Sequence, residues 1–114
     1  MQRNESAYLL DMLLAAQDVE EFTSDLTFQQ FLHSRLHQHA ILKIIEIIGE
    51  AATHVGKETR KANSQIPWQS ITSMRNRLVH GYFDVDLDRV WETAQRDISQ
   101  LIELVKPLVP PDEN

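Results

Sequence analysis

The stretch ILKIIEIIGEAATHV, residues 41–55, decides the fold. Within it Ile41, Ile44, Ile45, Ile48, Ala51, Ala52 and Val55 recur at intervals of three and four, the spacing at which side chains line one face of an α-helix. The stripe predicts a helix running from near Ser34 to Val55 with one side buried. Gly56 is a fitting stop, because glycine tolerates the backbone conformation that ends helices. Ile47 falls off the stripe and calls for a second apolar contact, within a bundle or with another subunit.

Working outward, Leu9, Met12, Leu13, Ala16 and Val19 hold the same period between Tyr8 and Phe22, which makes a first helix. Thr23 and Ser24 interrupt it. Thr27 followed by Gln30 has the form of a capping box, opening a short helix through Phe28, Phe31 and Leu32. Beyond the central helix, Lys57 to Gln65 is a polar connection with room for a helical turn. Pro67 fits the start of the next helix, which would bury Ile71, Met74 and Leu78 and end near Gly81. Asp86 is a good N-cap for a final helix in which Leu87, Val90, Trp91, Ala94, Ile98, Leu101, Ile102 and Val105 keep the period. Pro107, Pro110 and Pro111 end it. The expected architecture is all-α: an antiparallel bundle of four principal helices plus a short extra helix. It forms one domain, residues 1–106, with a flexible proline-rich tail over 107–114.

Composition bounds the function. The chain has 114 residues and no cysteine, which excludes disulfides, thiolate metal sites and a cysteine nucleophile, and fits a reducing cytosol. No apolar run approaches the roughly 20 residues of a membrane span, and Met1 to Asp11 does not read as a secretion signal. A cytoplasmic protein with no membrane partner is the expectation. The formal net charge of −6 argues against a surface that binds nucleic acid throughout, so any RNA contact must be local. Positive charge clusters at Arg75 and Arg77, close to His80.

That cluster belongs to RNRLVHGYF, residues 75–83, which contains R-x-x-x-x-H-x-Y. The flanks are Ile66-Pro-Trp before the helix and Asp84-Val-Asp-Leu-Asp-Arg-Val-Trp91 after it. Together they resemble the C-terminal half of the HepT-like branch of the HEPN superfamily, and Ile44 to Ala51 is similar to its central helix. The resemblance covers nearly the whole chain. It implies a HEPN-type bundle that forms a homodimer or a higher even oligomer, and a metal-independent endoribonuclease that needs no cofactor. It also implies a toxin of a type VII toxin–antitoxin system whose partner is a cognate minimal nucleotidyltransferase antitoxin. On the same ground Arg75 and His80 are the expected catalytic pair and Tyr82 the site of adenylation; Asn76 and Arg77, by their spacing from His80, are read as supporting residues.

The chemistry of the residues agrees. Cutting RNA without a metal requires a group that moves protons near neutral pH and a cation for the charge building on phosphorus; His80 and Arg75 supply them. Helical geometry adds a constraint. Five residues at about 100° each put Arg75 and His80 roughly 140° apart around an axis. Either the helix ends before His80 and the chain turns back, or the site is completed across a dimer interface. Asn76 and His80, four apart, do share a face, so Asn76 is placed to orient the imidazole. Arg75 borders the apolar stripe, where a guanidinium is costly unless paired or set in a polar cleft.

Blander readings stand beside these. Arg75 would pair structurally with a carboxylate and His80 would cap a helix C-terminus. Arg77 is either a second phosphate contact or a solvated arginine. Glu46 and Glu50 read as a solvated or subunit-facing pair, with Glu50 bound to Arg75 or Arg77 as the alternative. His33, His37 and His39 read as surface histidines and not metal ligands, since no carboxylate sits among them. Trp68 and Trp91 read as core or interface anchors. The rival to an RNA endonuclease is a non-catalytic HEPN module that binds nucleotide, RNA or only its protein partner.

Overall fold

The computed structural model describes residues 4–80 and 86–110, with residues 78–80 as backbone only. Helix α1 spans Glu5–Thr23 and opens where the Asn4 side chain accepts from the Ala7 amide at 3.0 Å. Helix α2, Phe28–Leu32, carries the full capping box: Thr27 accepts from the Gln30 amide, and the Gln30 side chain accepts from the Thr27 amide. The long helix α3 covers Arg35–Thr53 behind a Ser34 cap, within a residue or two of the predicted limits. The polar connection folds into a short helix α4, Lys57–Ala62, and α5 follows over Trp68–His80. Asp86 caps α6, Leu87–Glu92, as its position suggests.

One feature of the last helix departs from the sequence reading. A π turn over Thr93–Asp97 separates α6 from α7, Ile98–Val105. Its cause is legible in the buried row Val90, Ala94, Ile98 and Ile102, which repeats every four residues. A regular helix would rotate such a row by about 40° at each step. Taking one extra residue into a wider turn swings the row back onto the core. A 3-10 turn, Lys106–Leu108, ends the helix, and Leu108 and Val109 pack partly against the core. The remainder of the expected tail, residues 111–114, lies outside the described residues.

The elements make an all-α bundle, with no strand among the described residues. Helix α3 packs on both α1 and α5, and α1 also packs on α7. Met12, Ala16 and Val19 of α1, Phe31 of α2, Ile41 and Ala52 of α3 and Val105 of α7 are completely buried where they meet. Trp91 lies on Phe28 and Phe31, with ring centroids 5.8 and 5.3 Å away, which docks α2 against α6. Trp68 is buried at the start of α5, its indole N–H donating to the Asn63 carbonyl at 3.1 Å. Both tryptophans are thus anchors, and the second fixes where α5 begins. Among the described residues no helix is long and apolar enough to cross a membrane.

Candidate functional site on helices α3 and α5

The backbone of α5 is helical without a break from Trp68 through His80. This removes one of the two arrangements the sequence allows, in which the helix stops before His80. Arg75 and His80 therefore lie five residues apart on one continuous helical backbone. The His80 side chain lies outside the described residues, as do Gly81 and Tyr82.

Arg75 is positioned by a close approach of α3 to α5. At Gly49 an added Cβ would overlap the Cβ of Arg75, and would come within 2.8 Å of its Cγ and 3.2 Å of the Ile71 carbonyl oxygen. Glycine is required there by space, since only its hydrogen lets the two backbones come so near. The arginine stem fills the gap, and its Nε is buried with no hydrogen-bond partner among the described residues. A sealed-in N–H of this kind costs free energy, so the guanidinium must be held by its other nitrogens.

Two side chains hold it. Nη2 lies 2.6 Å from Oε2 of Glu50, and Nη1 donates to Oδ1 of Asn76 at 2.9 Å. Glu50, read first as solvated or subunit-facing, is the carboxylate partner that Arg75 needs, although half of its side chain remains in solvent. Asn76 meets its neighbour Arg75; what it does toward His80 falls on a side chain outside the described residues. Each terminal guanidinium nitrogen carries a second hydrogen, so the held arginine can still present donors to an incoming anion. Arg77 is exposed one turn from the end of α5 and has no ion pair among the described residues.

The cluster continues along α3. The other oxygen of Glu50, Oε1, lies 3.4 Å from Nε2 of His54, the residue that follows the last turn of α3. The His54 ring stacks on Tyr8 of α1, with centroids 4.4 Å apart and planes inclined by 15°. Sequence reasoning did not single out Gly49, His54 or Tyr8. The spacing of four between Glu50 and His54 was the available signal, because it puts them on one helix face. Tyr8 belongs to a different helix, and only the packing of α1 on α3 brings it there.

The remaining sequence candidates lie apart. His33 meets the Gln29 carbonyl through Nδ1 at 2.8 Å, and His37 meets the Ser34 hydroxyl at 2.6 Å, so each serves a local contact at a helix end. Among the described residues no group of histidine and carboxylate side chains has the arrangement of a metal site. Glu46 lies 3.8 Å from Lys43, one turn earlier on the same helix.

A family model described as HepT-like, ribonuclease HepT-like, matches residues 12–108. A protein of Thermococcus cleftensis named "Probable ribonuclease HepT" is 37% identical over 101 residues, covering 89% of this chain and 92% of its own. One of Methanocaldococcus jannaschii named "Putative RNase MJ1380" is 32% identical over 99 residues, covering 87% and 91%. No solved structure gives a significant match.

Proposed function

The chain belongs to the ribonuclease HepT-like family, and from that premise we propose that it is a toxin of a type VII toxin–antitoxin system which cuts RNA at the α5 site without a metal ion. The observation that carries the reading is the guanidinium of Arg75, half-buried and held on two sides by Glu50 and Asn76 yet still able to donate. A cation fixed in advance loses little on meeting a phosphate and is well suited to charge that grows in a transition state.

In this reading the 2′-hydroxyl of the RNA attacks the adjacent phosphorus and displaces the 5′-oxygen of the next nucleotide, leaving a cyclic phosphate. Arg75 holds the non-bridging oxygens. His80 takes the proton from the 2′-hydroxyl or returns one to the departing oxygen. Because Arg75 and His80 diverge on an unbroken helix, each site draws on a second copy of the chain. Leu36 and Ile47 of α3 are exposed apolar side chains on which a second copy can pack.

Control resides in Tyr82, two residues past His80. A cognate minimal nucleotidyltransferase transfers adenylate from ATP to its phenol oxygen with release of pyrophosphate. The bulky nucleoside then occupies the RNA path, and the new phosphodiester anion competes for Arg75 and Arg77. The protein works in the cytoplasm, where both RNA and antitoxin are found.

The direct test incubates purified protein with end-labelled RNA in excess EDTA. The native protein is expected to cut it, and His80→Ala to cut at least a hundredfold more slowly, within the range of about 10²–10⁴ typical of acid–base groups. RNA bound but left intact by the native protein would instead favour a binding module.

A further inference from the structure

We propose that Tyr8 and His54 form a stacking platform for one nucleobase of the RNA, beside the phosphate held by Arg75. The inference rests on the RNA-cleaving reading of Arg75 and adds to it a subsite on α1 and α3. Three observations converge on it. The two rings are already stacked, 4.4 Å apart and inclined by 15°, so one face of the imidazole is covered by Tyr8. With that face taken, 46% of the His54 side chain is still in solvent, so the ring keeps accessible surface against which a base can pack. Glu50 joins this ring to the phosphate-binding cation, one carboxylate oxygen 2.6 Å from Arg75 and the other 3.4 Å from His54. The ring and the guanidinium are therefore separated by the width of one carboxylate and two contacts, the scale of a single nucleotide.

The chemistry suits a single-stranded substrate. Exposed bases of loops and unpaired segments are commonly recognised by stacking on aromatic or imidazole rings next to a cation that takes the phosphate. A third ring added to an existing pair costs little ordering, because Tyr8 and the contact to Glu50 already fix the imidazole plane. Stacking tolerates any base, so the platform holds the strand in register and reads little sequence. Duplex RNA, whose bases are stacked on one another, has no free base to offer it.

The experiment uses the full-length protein carrying His80→Ala, so that RNA is bound and not consumed, and short single-stranded oligonucleotides with 2-aminopurine at successive positions. Binding is expected to quench the fluorophore at one position only. His54→Ala in this background should weaken binding by about fivefold to a hundredfold and abolish that quenching, in line with the loss of one base stack. His54→Phe keeps a ring but no titratable nitrogen, and it should restore both affinity and quenching. Tyr8→Leu should reproduce the His54→Ala result, with unchanged circular dichroism as the control for folding. If Arg75→Ala weakens binding while neither His54→Ala nor Tyr8→Leu does, the platform is wrong and the phosphate site stands. If His54→Phe in the otherwise native protein binds RNA normally but no longer cuts it, His54 moves protons and the stacking assignment is overturned. Failure of the His80→Ala protein and of the native protein to bind RNA at all would remove both readings.

Discussion

At the scale of single residues, the account depends on how Arg75 is held. A half-exposed ion pair contributes about 0–1 kcal/mol to stability, so Glu50→Ala should shift the thermal midpoint only slightly. Its effect on RNA cleavage should be much larger, at least tenfold in the rate of the cleavage step, because the guanidinium then loses one of its two anchors while its Nε stays buried. Thermal unfolding and single-turnover cleavage on the same preparation check this; a loss of activity no greater than the loss of folded protein would assign Glu50 to structure alone. Arg75→Ala should abolish cleavage and leave the helical signal intact. The Arg75 side of this cluster was legible beforehand, since a guanidinium bordering an apolar stripe demands a partner. Glu50 was the alternative partner for Arg75 or Arg77, but it looks equally at ease in solvent, and only the packing of α5 on α3 decides the pairing. The rings beyond Glu50 were not legible, for Tyr8 is brought to His54 by contacts between elements far apart in the chain.

At the scale of elements, the periodicity of the sequence placed most of the helices because buried stripes and caps are local signals. Ser34, Thr27 and Asp86 all cap where their chemistry suggests. The π turn escaped that reading, since a row of four-residue steps differs from a helical row by only a small rotation per turn. The tight crossing at Gly49 escaped it too, as the glycine sits in mid-helix, where its usual effect is a loss of helical propensity. This inverts an ordinary expectation. Replacing a mid-helix glycine by alanine commonly stabilises by up to about 1 kcal/mol, yet here the methyl would overlap the Arg75 side chain. Gly49→Ala is therefore expected to destabilise by about 1–3 kcal/mol, the range for an overpacked contact, and to cut activity by displacing α5. Denaturant titration measures the first effect. An alanine variant as stable as the native protein would show that α3 and α5 do not approach so closely.

At the scale of the whole molecule, the proposal that Arg75 and His80 act on one phosphate, five residues apart on an unbroken α5, requires a second copy of the chain. Ile47, 42% exposed and off the buried stripe of α3, and Leu36, 77% exposed, are apolar side chains with nothing to gain from solvent. Ile47→Asp should weaken the dimer, moving the light-scattering mass toward that of one chain at micromolar concentration, and cleavage should fall in parallel. A fully dimeric, fully active variant would place the shared surface elsewhere. The most direct measurement of a site divided between two copies combines two inactive proteins. Arg75→Ala and His80→Ala chains, carrying different affinity tags, are co-expressed, and the mixed dimer is purified through both tags and tested on labelled RNA in EDTA. One site of that dimer retains an intact arginine from one chain and an intact histidine from the other, so cleavage should return to a substantial fraction of the native rate. A mixed dimer as inactive as either parent would contradict the account.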